Sequence, residues 1–256
     1  MLNRPRIIPV LTIIDEDLVK TTQFKKPRYL GDPINAVKIF NEKQVDELCI
    51  LDIGVTKNQS TINFNLLEKI TSQAFMPLSY GGGIKTFEEV KRLFRLGFEK
   101  IVFNTSFNEN PLLIKQAVDY AGSSSVVLAI DVKKGITGKY SLFTDSGSKK
   151  IRDSLEMYIK LGIEYGVGEI LVNDINRDGM MNGYDLDLIK QITSSVNVPV
   201  IACGGAKDIN DLKEALHLAG ASAVAAGSLF VYYGSQKAVL INFPTESQLI
   251  ENKIYI

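Results

Sequence analysis

The sequence predicts a closed (βα)8 barrel, the TIM-barrel class of α/β fold, assembled from two similar halves. Three observations carry this. Eight apolar runs rich in Val, Ile and Leu alternate with helical patterns from end to end. The runs are continuous rather than alternating, which marks strands buried on both faces, hence a parallel sheet. The chain also repeats itself. At an offset of 122, Glu169-Ile170-Leu171-Val172 falls on Glu47-Leu48-Cys49-Ile50, and Asp174-Ile175 falls on Asp52-Ile53. The same offset carries Pro199-Val200-Ile201 onto Pro77-Leu78-Ser79, Gly204-Gly205 onto Gly82-Gly83, and Ser228 onto Ser106. At 256 residues the chain has the usual size of one such barrel, about 250 residues. It reads as a single domain with half-barrels of about 1–123 and 124–256.

The strands are expected near Arg6–Ile14, Glu47–Ile53, Pro77–Tyr80, Lys100–Asn104, Val126–Asp131, Glu169–Asn173, Val198–Cys203 and Ala221–Ala226. Between them, segments such as Pro33–Asn41, Thr86–Leu96 and Ile209–Leu218 place apolar residues at helical spacing. Thr86 and Glu89 have the spacing of a capping box. An open doubly wound sheet is the structural alternative, but its first βα turn should carry a glycine-rich fingerprint. Here that turn is Asp15-Glu16-Asp17, without glycine. The segment Gly135–Lys150 is longer than an ordinary βα loop and reads as an excursion over the barrel mouth.

Composition is that of a globular protein, 45% hydrophobic and 23% charged, with 29 basic and 29 acidic residues. A balanced charge gives no signal for nucleic-acid or membrane partners. Cys49 and Cys203 lie in apolar runs and read as buried thiols of a reducing compartment, not as a disulfide. The N-terminus lacks a signal-peptide pattern and no apolar run is long enough to span a bilayer, so a cytoplasmic location is expected. The lone histidine, His217, falls in a helical pattern far from any strand tip. That removes the usual general base and any His-rich metal site. No metal and no cofactor are expected.

In a barrel of this kind the active site is built at the C-terminal strand ends. Those ends carry Thr12, Asp52, Gly81-Gly82-Gly83, Asn104-Thr105-Ser106, Asp131, Asn173-Asp174 followed by Asp178-Gly179, Gly204-Gly205 and Gly227-Ser228. Glycines ahead of a helix expose backbone N–H groups to an anion. Two such constructions, Gly82-Gly83 with Asn104-Thr105 and Gly204-Gly205 with Gly227-Ser228, point to a long ligand with phosphate at both ends. The bland alternative is that these glycines merely permit tight turns. Asp131 closes the run VVLAID, so its carboxylate is half-buried and either suited to acid–base work with a raised pKa or a structural group bonded to loop amides. Asp52 and Asp178 either resemble it or fix their loops. At the opposite end Arg6, Glu47, Lys100 and Glu169 open strands one, two, four and six. They form either a salt-bridged plug, the simpler reading, or a gate across the bore.

Through RIIPVL, GDPINA, DELCILDI, YGGGI, EKIVFNTS, VVLAIDVK, GEILVNDINRDGMMNGYD, PVIACGGA and AAGSLF, nearly the whole chain resembles the cyclase subunit of imidazole glycerol phosphate synthase. The resemblance implies a half-repeat barrel that takes ammonia from a glutamine amidotransferase docked at its N-terminal face. It also implies that the two glycine constructions hold the phosphates of a ribulosyl aminoimidazole nucleotide. Arg6, Glu47, Lys100 and Glu169 then match the family's ammonia gate, against the simpler reading. Two opposed aspartates, on strands one and five, are implied as the acid–base pair. Asp131 matches the second, but Thr12 stands where the first is expected. A missing acid–base group generally costs about 10²–10⁴ in rate. The flexible, glycine-bearing loop after strand one is replaced by Asp15-Glu16-Asp17, while Lys20 is kept. Met180 and Asn173 each stand where the family has threonine. With KPRYLGDPINAVKIFNEK and AVLINFP, the chain is more similar to a paralogous branch accompanying amidotransferases that convert acetamido to acetamidino groups on surface-polysaccharide sugars. A histidine-pathway cyclase and a non-catalytic barrel that activates a glutaminase are the alternatives.

Overall fold

The computed structural model describes residues 4–255; residues 1–3, on which part of the N-terminal reading falls, and residue 256 lie outside the described residues. Eight parallel strands form the barrel: β1 Arg6–Ile14, β2 Leu48–Asp52, β3 Leu78–Gly81, β4 Lys100–Phe103, β5 Val126–Lys134, β6 Glu169–Asp174, β7 Val200–Cys203 and β8 Ala223–Ala226. Each pairs with the next. β8 pairs back onto β1, with Ile8 opposite Ala225, and the sheet closes. Outer helices α1 Pro33–Glu42, α2 Phe64–Thr71, α3 Phe87–Arg95, α4 Pro111–Ala121, α5 Leu155–Glu164, α6 Leu186–Thr193, α7 Ile209–His217 and α8 Glu246–Glu251 follow the strands in turn.

Helix α3 illustrates the local logic. Thr86 accepts from the Glu89 N–H while Glu89 accepts from the Thr86 N–H, completing the expected capping box. Val90 and Leu93, one helical turn apart, are fully buried against the strands. Such burial contributes about 1.5–3 kcal/mol per side chain. The principal core lies between the strands and these helices. A second, smaller one fills the bore with Ile8, Val10, Cys49, Val102, Val127, Ala129, Leu171, Ile201, Ala223 and Ala225. Both cysteines are free and buried, as expected, and burial pushes the Cys49 thiol up to about 12. Among the described residues, no helix is long and apolar enough to cross a membrane.

The segments that follow two of the strands differ from expectation in the same way. In place of a flexible loop, β1 turns at Asp15, which adopts φ +57°, into a hairpin of Asp17–Thr22 and Lys25–Gly31. Aspartate tolerates this left-handed conformation better than most residues, so the turn closes without glycine. Strand β5 runs past Asp131 to Lys134 and pairs antiparallel with Tyr140–Thr144, which pairs with Lys149–Lys150. The excursion at Gly135–Lys150 therefore carries two strands, Tyr140–Thr144 and Lys149–Lys150. Both hairpins reach over the mouth, one from each half. His217 lies exposed at the end of α7, 2.8 Å from the Lys253 carbonyl.

Candidate active site

The C-terminal strand ends and the two hairpins line a cleft that is open to solvent. Every residue expected to act in catalysis or ligand binding lines it: Thr12, Lys20, Asp52, Gly82, Gly83, Asn104, Thr105, Asp131, Asn173, Asp178, Gly179, Gly204, Gly205, Gly227 and Ser228. The hairpins add Thr21, Phe24 and Ser146, which sequence reasoning missed. The Asp145-Ser146-Gly147 run is a turn signal that could have found Ser146. Gln23-Phe24 carries no comparable signal, although both residues have positive φ.

Asp131 stands between two amides. The Asn104 side-chain N–H donates to its Oδ2 at 3.2 Å, and Asn173 faces it in register from β6. Burial raises the carboxyl to about 7, helped by the charge of Asp178; the Asn173 side chain and Lys133 oppose the rise. A carboxyl poised there can hold or release a proton near neutrality. Across the mouth, the Thr12 hydroxyl donates to the Val19 carbonyl at 2.5 Å. Its donor is spent on the hairpin rather than directed into the cleft.

Asp52 serves its loop. Its carboxylate accepts from the Gly54 and Val55 N–H groups at 3.0 and 3.2 Å, capping the short helix Ile53–Asn58. Burial still lifts it to about 6, partly offset by those two bonds. Asp178 pairs with Lys20, Nζ to Oδ1 at 2.8 Å, and both side chains are buried. Its backbone carbonyl also accepts from the Gln23 N–H at 2.8 Å, so the loop after β6 and the first hairpin are stitched together. Gly179 lies in the same loop, against Thr21.

The two glycine constructions are built alike. Gly82 has φ +131°, and a Cβ there would stand 2.2 Å from the Asp52 carbonyl oxygen. Its equivalent in the other half, Gly204, has φ +88°, and a Cβ there would stand 2.5 Å from Asn173 Oδ1 and 2.9 Å from the Asp174 carbonyl oxygen. Close packing against the neighbouring loop is thus sufficient to require glycine at both positions. The hydroxyls beside them differ between the halves. Ser106 Oγ donates to the Ile84 carbonyl, and Thr105 Oγ1 accepts from the Asp145 N–H at 3.0 Å. Ser228 Oγ is buried, with no hydrogen-bond partner among the described residues.

At the other end of the bore the four expected charges close into a ring. Arg6 reaches Glu47 at 2.5 Å and also contacts Glu169; Lys100 reaches the same two carboxylates at 3.2 and 2.7 Å. Two cations and two carboxylates alternate, so each charge has two opposite neighbours. Glu47 and Glu169 are almost fully buried, an arrangement that low-dielectric surroundings tolerate only for paired charges.

An eightfold barrel whose cleft gathers Asp131, Asp178 and Lys20 at the C-terminal strand ends has the architecture of a barrel enzyme. The profile of the Histidine biosynthesis protein family matches residues 6–237, and the chain belongs to that family. It is similar to a protein of Pseudomonas aeruginosa provisionally named imidazole glycerol phosphate synthase subunit hisF2, 47% identical over 96% of this chain and 98% of that one. A Leptospira interrogans protein, provisionally named subunit HisF, is 48% identical over 94% and 95% of the two chains. The imidazole glycerol phosphate synthase subunit HisF of Petrotoga mobilis is 40% identical over 89% and 90%. Within its family the chain is HisF-like, a cyclase-type synthase subunit.

Proposed function

We propose that this chain uses ammonia delivered by a glutamine amidotransferase, and that it acts in amidating a sugar for surface polysaccharide, acetamido to acetamidino. The observation that carries the first half is the axial arrangement of the barrel. The ring of Arg6, Glu47, Lys100 and Glu169 stands at one end of an apolar bore, and Asp131 stands at the other. The bore between them is packed with apolar side chains, among them Ala223, Ala225, Cys49 and Val127, surroundings that disfavour an ion far more than a small neutral molecule. The partner docks on the N-terminal face, over the ring, and ammonia passes the ring to meet the ligand beside Asp131. The cleft takes a phosphorylated ligand at Gly82-Gly83 with Asn104-Thr105 and at Gly204-Gly205 with Gly227-Ser228.

The second half rests on Thr12. Ring and cradles are retained, but strand one offers a hydroxyl that already donates to Val19, so the acid–base pair of the cyclisation is incomplete. The similarity to proteins named as second or third HisF copies accords with a duplicated subunit given a new substrate. A histidine-pathway cyclase is the second reading, favoured by the retention of Asp131 with its raised carboxyl. Turnover of the ribulosyl aminoimidazole nucleotide with excess ammonium salt, bypassing the partner, separates them. The sugar-amidation reading expects no turnover. A rate within about a hundredfold of an ordinary cyclase, the smaller part of the loss expected for a missing acid–base group, returns the chain to histidine biosynthesis.

A further inference from the structure

Lys20 stands between two parts of the cleft. Its Nζ is held by Asp178, while its aliphatic stem crosses Gly227 so closely that a Cβ on that glycine would meet Lys20 Cε at 3.1 Å. The next residue is Ser228, whose buried hydroxyl has no partner. The corresponding corner of the other half has its hydroxyls committed, Ser106 to Ile84 and Thr105 to Asp145. One cradle therefore combines an available hydroxyl with a cation a side-chain rotation away. At the other, the neighbouring hydroxyls are already engaged.

We propose that Lys20 is a transferable cation: paired with Asp178 when no anion is held nearby, it moves to an anion seated at Gly205 and Ser228, and so leaves Asp178 as a second, unpaired carboxylate beside Asp131. The inference rests on the reading of those residues as a phosphate cradle. An ammonium on a flexible stem can exchange partners without movement of the backbone. Phosphate carries more charge than a carboxylate and competes well for the ammonium. Gly227 lets the lysine lie close across the cradle, since a Cβ there would displace the stem by a few tenths of an ångström. The consequence falls on Asp131, which is faced by Asp178 from the loop after β6, Lys133 on its own strand, and the neutral amides Asn104 and Asn173. Once Lys20 has moved, the Asp178 charge acts on Asp131 unscreened. A chain whose strand one offers only Thr12 thereby acquires two carboxylates at the mouth when its ligand arrives.

The experiment is calorimetric titration of the full chain with inorganic phosphate, paired with a crystal structure of the phosphate complex. The expected results are about tenfold or more weaker binding in Lys20→Met, the size of a lost charge-assisted hydrogen bond, and Lys20 Nζ on a phosphate oxygen. Phosphate bound with equal affinity by Lys20→Met, or with Lys20 still on Asp178, overturns the transfer and leaves the cradle standing. Failure of the folded wild-type chain to bind phosphate overturns the cradle and the transfer together. If Lys20→Met does not fold, the position of Lys20 in the wild-type complex decides alone.

Discussion

Thr12 and Val19 face each other as antiparallel partners, and the threonine hydroxyl donates across the pair to the valine carbonyl at 2.5 Å. The bond ties the first hairpin to the barrel strand that launches it. Thr12→Val removes the donor and leaves a carbonyl in a buried position, so stability should fall by about 1 kcal/mol. Thr12→Asp sets an acceptor against an acceptor. Amide hydrogens of the hairpin strands Asp17–Thr22 and Lys25–Gly31 should then exchange faster than in the parent chain. Unchanged exchange would show that the hairpin is held from elsewhere.

Asp131 makes stability depend on pH with a definite sign. Unfolded, the carboxyl titrates near its ordinary 3.8; folded, it keeps its proton to about 7. Between those values the folded chain binds more protons than the unfolded one, so this group's contribution falls as pH rises. Asp131→Asn should raise the melting temperature at pH 8 by about 2 °C or more and leave it unchanged near pH 4. A shift of equal size at both pH values would mean that the effect is steric, not ionic.

The charge ring offers a test that separates folding from delivery. Arg6→Met leaves two buried carboxylates with Lys100 as their shared cation. The loss should be about 3 kcal/mol, as for other broken buried pairs. If the ring is a gate, amidation driven by glutamine through the partner should change, while amidation driven by added ammonium salt should not. Equal changes in both would reduce the ring to a structural plug.

Ser228 and Ser106 occupy equivalent positions of the two halves but should respond oppositely to alanine. Ser228→Ala deletes a buried hydroxyl that has no partner, so the folded chain should gain slightly in stability and lose affinity for phosphate. Ser106→Ala deletes a hydroxyl bonded to Ile84 and should cost about 1 kcal/mol, with little effect on phosphate. Thermal melts with and without phosphate read both quantities.

The barrel was legible because burial leaves a direct mark on composition. A strand covered on both faces must be apolar throughout, and a strand tip must turn polar where the cover ends. That is why Val126–Ile130 followed by Asp131 reads as a strand and its tip, and why the helix capped at Thr86 falls where expected. The 122-residue echo then placed Gly82 and Gly204, and Ser106 and Ser228, at equivalent points. Membership of all these residues in one cleft follows from closure of the sheet.

What each side chain does there is a matter of partners distant in the chain, and only the tertiary structure decided it. Nothing local tells that Thr12 donates to Val19, because the intervening turn at Asp15 lacks the glycine that usually announces a hairpin. Lys20 and Asp178 lie far apart in sequence, yet form a buried ion pair. Ser106 and Ser228 are the same residue in the same repeat position, and only their neighbours, Ile84 for one and no partner for the other, make one spent and one available. Apolar patterning follows from the solvent each residue must avoid, which is a property of its own position. A hydrogen bond or an ion pair depends on which second group folding brings within about 3 Å, and the sequence does not carry that distance.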